Sequence, residues 1–123
     1  MKEQPTMTKT GLSGPYRLSF DEVDGIVTRK SAGVYALGHT DAQGRFCINA
    51  VARSDSDIRA QLLDHIGAEM QFKFGYSRSS QIAFERECAL FHDISPPGNR
   101  LHPGRPKGTK WTCPRCQIFV LPG

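Results

Sequence analysis

Gly33-Val34-Tyr35-Ala36-Leu37-Gly38, followed after Thr40-Asp41-Ala42-Gln43-Gly44 by Arg45-Phe46-Cys47-Ile48-Asn49-Ala50-Val51-Ala52, is the stretch whose reading decides the fold. Both runs are rich in β-branched and aromatic residues and are bounded by turn formers, which predicts two core strands joined as a hairpin. Next comes Ser54-Asp55-Ser56-Asp57, a cluster of good N-caps. Ile58, Leu62 and Ile66 then recur at four-residue spacing up to Gly67, which predicts an amphipathic helix. Met70-Gln71-Phe72-Lys73-Phe74-Gly75-Tyr76 alternates as a third strand with Phe72 and Phe74 on one face. Ser79-Ser80 caps a second helix whose apolar surface is Ile82, Ala83, Ala89, Leu90 and Phe91, ending before Pro96-Pro97-Gly98.

The order strand, strand, helix, strand, helix predicts an α/β fold, a small three-stranded sheet flanked by helices. Upstream, Tyr16-Arg17-Leu18-Ser19-Phe20 reads as a short edge strand or packing arm, and Asp21-Glu22-Val23-Asp24-Gly25 as a turn. Residues 1–14 are polar and aperiodic and read as a flexible lead-in.

With 123 residues, 38% of them hydrophobic and 23% charged, the chain has the composition of one soluble domain with a single core. No apolar run approaches the roughly 18 residues of a membrane helix. Met1-Lys2-Glu3-Gln4-Pro5 also lacks a signal peptide's hydrophobic stretch, so the expected location is the cytoplasm. The net charge of +4 is unevenly spread. From Ile94 to Gly123 there is no Asp or Glu, while Arg100, Arg105, Lys107, Lys110 and Arg115 all fall there. Such a strip either attracts a nucleic-acid backbone through counterion release or is a solvated basic tail.

Glu87 and Asn99 stand twelve residues apart, downstream of Gly33-Val34-Tyr35. A helix carboxylate can hold one hard divalent cation while a tyrosine and an asparagine orient water and phosphate around it. Together with the strand end Ala50-Val51-Ala52, these residues resemble the GIY-YIG nuclease family over Gly33 to Asn99. Arg53-Ser54-Asp55-Ser56-Asp57-Ile58, Phe72-Lys73-Phe74, Glu87-Cys88, His92-Asp93, His102-Pro103, Arg105-Pro106 and Cys113-Pro114-Arg115-Cys116 are similar to a small bacterial branch of it.

The resemblance implies a small mixed sheet flanked by helices over residues 15–99, and a DNA endonuclease with one Mg²⁺ or Mn²⁺ on Glu87. It gives Tyr35 a part in activating water, Asn99 the phosphate, and His65 the place of a histidine seen in some members. Three positions depart from the pattern: Ala50 replaces the second tyrosine, Ala52 a glycine and Gln61 the catalytic arginine. Gln61 donates a hydrogen bond but carries no charge. Arg53, at a strand end facing the cleft, is the better replacement cation. Arg59 lies about 200° from Gln61 around the helix and should point elsewhere. The competing role for Arg53 is a salt bridge to Asp55 or Asp57.

Cys113 and Cys116 form a C-x-x-C, half of a tetrahedral zinc site. Cys88 and His92, four apart on a helix and about 40° from each other, can face the same ion, with His102 as a rival fourth ligand. A structural zinc on Cys88, Cys113, Cys116 and either His92 or His102 would pin the Pro/Gly-rich tail, residues 100–123, to the helix carrying Glu87. A redox pair or an accidental pair of thiols are the other readings of the motif. Cys47 is most simply a small strand hydrophobe. Three functions are open on the sequence: a metal-dependent DNA endonuclease, a nucleic-acid-binding pseudo-enzyme, and a zinc-stabilised protein-interaction module.

Overall fold

The computed structural model describes residues 10–119. Its elements run β1 (Ser13–Arg17), α1 (Phe20–Ile26), β2 (Gly33–Thr40), β3 (Phe46–Ser54), α2 (Ile58–Asp64), β4 (Gln71–Tyr76) and α3 (Ser80–Ile94). The four strands form one sheet in the order β1-β4-β2-β3, and every pairing is antiparallel. The architecture is therefore α/β as expected, but the sheet has four strands rather than three and is not mixed.

The fourth strand comes from the N-terminal segment. Tyr16 lies opposite Phe72, and its ring sits 5.6 Å from that of Phe72 and 6.2 Å from that of Phe74. Apolar contact with β4 thus draws Ser13 out of the expected lead-in and into pairing with Phe74, with Gly14 in the irregular stretch that follows. Residues 1–9 of that lead-in lie outside the described residues, as do Val120 and Leu121 of the apolar C-terminal run. Asp21-Glu22-Val23-Asp24-Gly25, expected to turn the chain, lies inside α1. Ser19 caps this helix, its side chain accepting from the Glu22 N–H at 3.2 Å, and Asp21 and Glu22 sit in the first turn, where the helix dipole favours acidic groups.

Strand alternation sorts the core into two layers. Tyr35 and Leu37 of β2 join Phe72 and Phe74 of β4 against Val23, Val27, Ile58 and Leu62, which belong to α1, α2 and the residue capping α1. Val34 and Ala36 point the other way and join Phe46, Ile48 and Val51 of β3 against Ala83 and Leu90 of α3. The central strand β2 is thus covered on both faces. Gly33 begins it because a Cβ there would stand 2.5 Å from the Gly75 carbonyl oxygen and 2.8 Å from Ile58 Cδ1. A third apolar cluster, of Phe84, Cys88 and Cys113 with Trp111, Cys116 and Phe119, packs the C-terminal tail onto α3. No helix of the described residues is long and apolar enough to cross a membrane.

Candidate metal centre and the Arg53–Glu87 pair

The tail docks where the last turn of α3 presents His92. There His92, His102, Cys113 and Cys116 bring one ligand atom each to within 4.8 Å of one another. Tetrahedral zinc with bonds of about 2.0–2.3 Å separates its ligands by roughly 3.3–3.8 Å, so a small contraction would close the sphere. The histidine environments favour metal binding. His102 Nδ1 lies 2.9 Å from the Pro103 carbonyl oxygen, an acceptor only, so Nδ1 carries the proton. The bare Nε2 then faces Cys116 Sγ at 3.4 Å. His92 Nε2 is buried without a hydrogen-bond partner among the described residues, which suits a nitrogen that binds a ligand. At Cys113, burial opposes ionisation, but the Arg115 backbone N–H at 3.3 Å, His102 and Cys116 outweigh it and hold the thiol below its ordinary range. The cluster can hold a metal ion.

This set differs from the expected one. Both histidines take part rather than one, and Cys88 stays outside. The Cys88 side chain is fully buried with Phe84 and Cys113, and burial followed by the neighbouring Cys113 pushes its thiol up to about 12. Its sulfur is not one of the four ligand atoms that lie within 4.8 Å of one another. Two of the five tail cations also serve the tail's own structure. Arg115 grips Asp93 of α3 with two bonds of 3.0 Å, and Arg105 donates to the Trp111 carbonyl at 2.6 Å while lying over the Phe119 ring. Arg100, Lys107 and Lys110 are exposed.

One turn and more up α3 from His92 is Glu87. Arg53, near the end of β3, donates from Nη1 to Glu87 Oε1 at 2.7 Å and from Nε to Asp55 Oδ1 at 2.8 Å. Its guanidinium also lies over the Phe84 ring, 5.1 Å from the centroid. The Arg53 and Glu87 side chains are only 11% and 10% exposed, so this is a shielded pair rather than a surface one. Burial raises the Glu87 carboxyl pKa, with Arg53 pulling it back. Burial opposes the Arg53 charge, but Asp55 and Glu87 outweigh that and raise its pKa. Glu87 Oε2 makes no hydrogen bond among the described residues.

Tyr35 is almost fully buried, its hydroxyl donating to Gln61 Oε1 at 3.3 Å and its ring 5.6 Å from that of His65, which caps α2. Burial, then the negative charges of Glu87 and Asp64, push its phenol well above the usual range. The phenol is therefore a neutral donor at ordinary pH. Arg59 pairs with Asp24 on α1, away from Glu87, as its helical position predicts.

Asn99 is occupied differently from the expectation. Its Oδ1 accepts from the Val51 N–H at 2.8 Å and its Nδ2 donates to the Val51 carbonyl at 3.0 Å. Gly98 N–H adds a bond to the Asn49 carbonyl at 2.6 Å, and a Cβ on Gly98 would stand 2.7 Å from that oxygen. The loop after α3 therefore caps the open edge of β3, and the Asn99 amide spends both ends on backbone.

The structure also brings in Phe84, which the sequence reading did not single out and which floors Arg53, and it makes Gln61 the acceptor for Tyr35 rather than only a missing arginine. The signal for Phe84 was its position three residues before Glu87 on one helix face. Comparison with protein-family models, with curated proteins and with solved structures gave no match.

Proposed function

We propose that this chain is a GIY-YIG-like, metal-dependent DNA endonuclease domain stabilised by a structural zinc ion. The observation that carries the proposal is the shielded Arg53–Glu87 pair. A buried arginine beside the one carboxylate expected to hold a divalent ion supplies the cation that Gln61 lacks. Glu87 would hold Mg²⁺ or Mn²⁺, and its unbonded Oε2 fits a hydrated ion bound by a single carboxylate. When bound, such an ion lowers the pKa of water and offsets charge on phosphoryl oxygens. Arg53, exchanging Glu87 for a phosphate, would stabilise charge as it develops there. Tyr35, neutral and hydrogen-bonded to Gln61, would orient water rather than deprotonate it. Zinc is the ion assigned to the His92, His102, Cys113 and Cys116 cluster, because two thiolates and two imidazoles in reach of a tetrahedral sphere are its usual donors.

The test is Arg53→Lys, which keeps a cation but loses the planar fork. Its cleavage of supercoiled DNA in Mg²⁺ should fall by about 10²–10³ with zinc content unchanged. An unaltered rate would remove Arg53 from the site. A second reading, DNA binding without hydrolysis, is favoured by Asn99, whose amide is committed to Val51 and not to a phosphate. Metal-independent binding with no product would select it.

A further inference from the structure

We infer that the loop closed by the metal ligands, from His102 to Cys113, is a preorganised clamp for the phosphate backbone of DNA, with Lys107 and Lys110 as its contact groups. The inference deepens the proposed function, since it rests on the zinc assignment and on DNA as partner.

Both ends of the loop, His102 and Cys113, belong to the cluster that could hold a metal ion. Within it, Arg105 reaches across to the Trp111 carbonyl at 2.6 Å, bracing the base of a shorter excursion over residues 106–110. That excursion is a turn: the Thr109 N–H and hydroxyl reach the Pro106 carbonyl at 3.2 and 2.8 Å, and Gly108 takes a positive φ of 88°. Lys107 and Lys110 flank the Gly108-Thr109 tip, both are exposed, and neither pairs with a carboxylate among the described residues. Exposed Arg100 precedes the loop, and no acidic residue follows Asp93 to offset these charges.

The structure thus divides the tail cations by task. Arg105 is committed to the Trp111 carbonyl inside the loop and exposed Arg115 to Asp93 of α3, leaving Lys107, Lys110 and Arg100 exposed and without a carboxylate partner among the described residues. Separated, flexible ammonium groups on a rigid frame suit a repeating line of phosphates, which rewards each cation by counterion release without reading bases. Fixing the frame with a metal reduces the ordering cost of binding.

The experiment uses the full-length, zinc-loaded protein and a short fluorescein-labelled DNA duplex without Mg²⁺, followed by anisotropy across a salt series. The Lys107→Ala, Lys110→Ala double variant is expected to keep its zinc, bind more weakly, and lower the slope of log K against log salt by about two. Zinc-free protein should lose affinity to a similar extent. Unchanged affinity and slope in the double variant, or equal binding with and without zinc, would overturn the clamp. Tighter binding to anionic lipid vesicles than to the duplex would overturn the assignment to DNA. Because no cleavage is read, a protein that binds through these lysines yet never cuts keeps the clamp and loses the hydrolytic reading. A protein that cuts while its double variant binds normally does the reverse.

Discussion

At the scale of single residues, Arg53 and Glu87 carry both the fold and the proposed chemistry. Removing Arg53 leaves the shielded Glu87 without its cation, whereas Arg53 without Glu87 would still hold Asp55. Arg53→Ala should therefore destabilise the domain by about 3–5 kcal/mol, whereas Arg53→Met with Glu87→Leu should recover most of that loss. Urea unfolding of the three proteins checks this, and a single-variant loss below about 1 kcal/mol would class the pair with ordinary surface bridges. Tyr35 makes a second prediction, about pH. Its phenol is raised in the folded state, so above about pH 10 the unfolded chain releases this proton first and stability falls as pH rises. Tyr35→Phe should remove that part of the alkaline slope in denaturation followed against pH. At this scale the sequence was informative about identity more than about partners. The placement of Arg53 at a strand end pointed it toward Glu87, and Asp55 was a foreseeable competitor that binds it as well. The commitment of Asn99 was not legible, because which backbone an asparagine meets depends on where an irregular loop crosses a strand edge.

Among elements, α3 and β3 organise the site, and Asn99 is the fastening between the loop after one and the edge of the other. Asn99→Ala should cost about 1–3 kcal/mol through two lost bonds and an exposed edge. Faster hydrogen exchange at the Val51 amide would report the loss, and unchanged exchange with reduced cleavage would instead return Asn99 to a phosphate role. The longer elements were visible in sequence: β2 and β3 as apolar runs between turn formers, β4 by alternation, α2 and α3 by caps and helical spacing, although α2 stops at Asp64 and leaves Ile66, expected on its apolar face, exposed. The misses were short. Helix α1 has seven residues, contains Gly25 and fully buries only Val23, so no periodic stripe marks it. Strand β1 has five residues that are mostly exposed, and pairing with β4 rather than local preference makes it a strand.

Across the whole molecule, a small domain with a Pro/Gly-rich C-terminal segment gains from a metal that ties distant parts together. One ion on the four-residue cluster would join the end of α3 to three points of the tail. Metal analysis of protein purified without a histidine tag should find about one zinc per chain in the wild type and in Cys88→Ala, and close to none in Cys113→Ser. Dependence on Cys88 and on only one of His92 and His102 would restore the ligand set expected from sequence. The C-x-x-C announced that site, but helical spacing put Cys88 beside His92 and left open only the choice between His92 and His102; replacing Cys88 by both histidines required the tail's path over α3. The proposed nuclease is tested most directly by cleavage of supercoiled plasmid and branched DNA by the zinc-loaded protein with added Mg²⁺ or Mn²⁺, beside Glu87→Gln at matched DNA occupancy. Metal-dependent products are expected from the wild type and none from Glu87→Gln. Equal cleavage by both proteins, or bound DNA left intact by the wild type, would contradict the proposal.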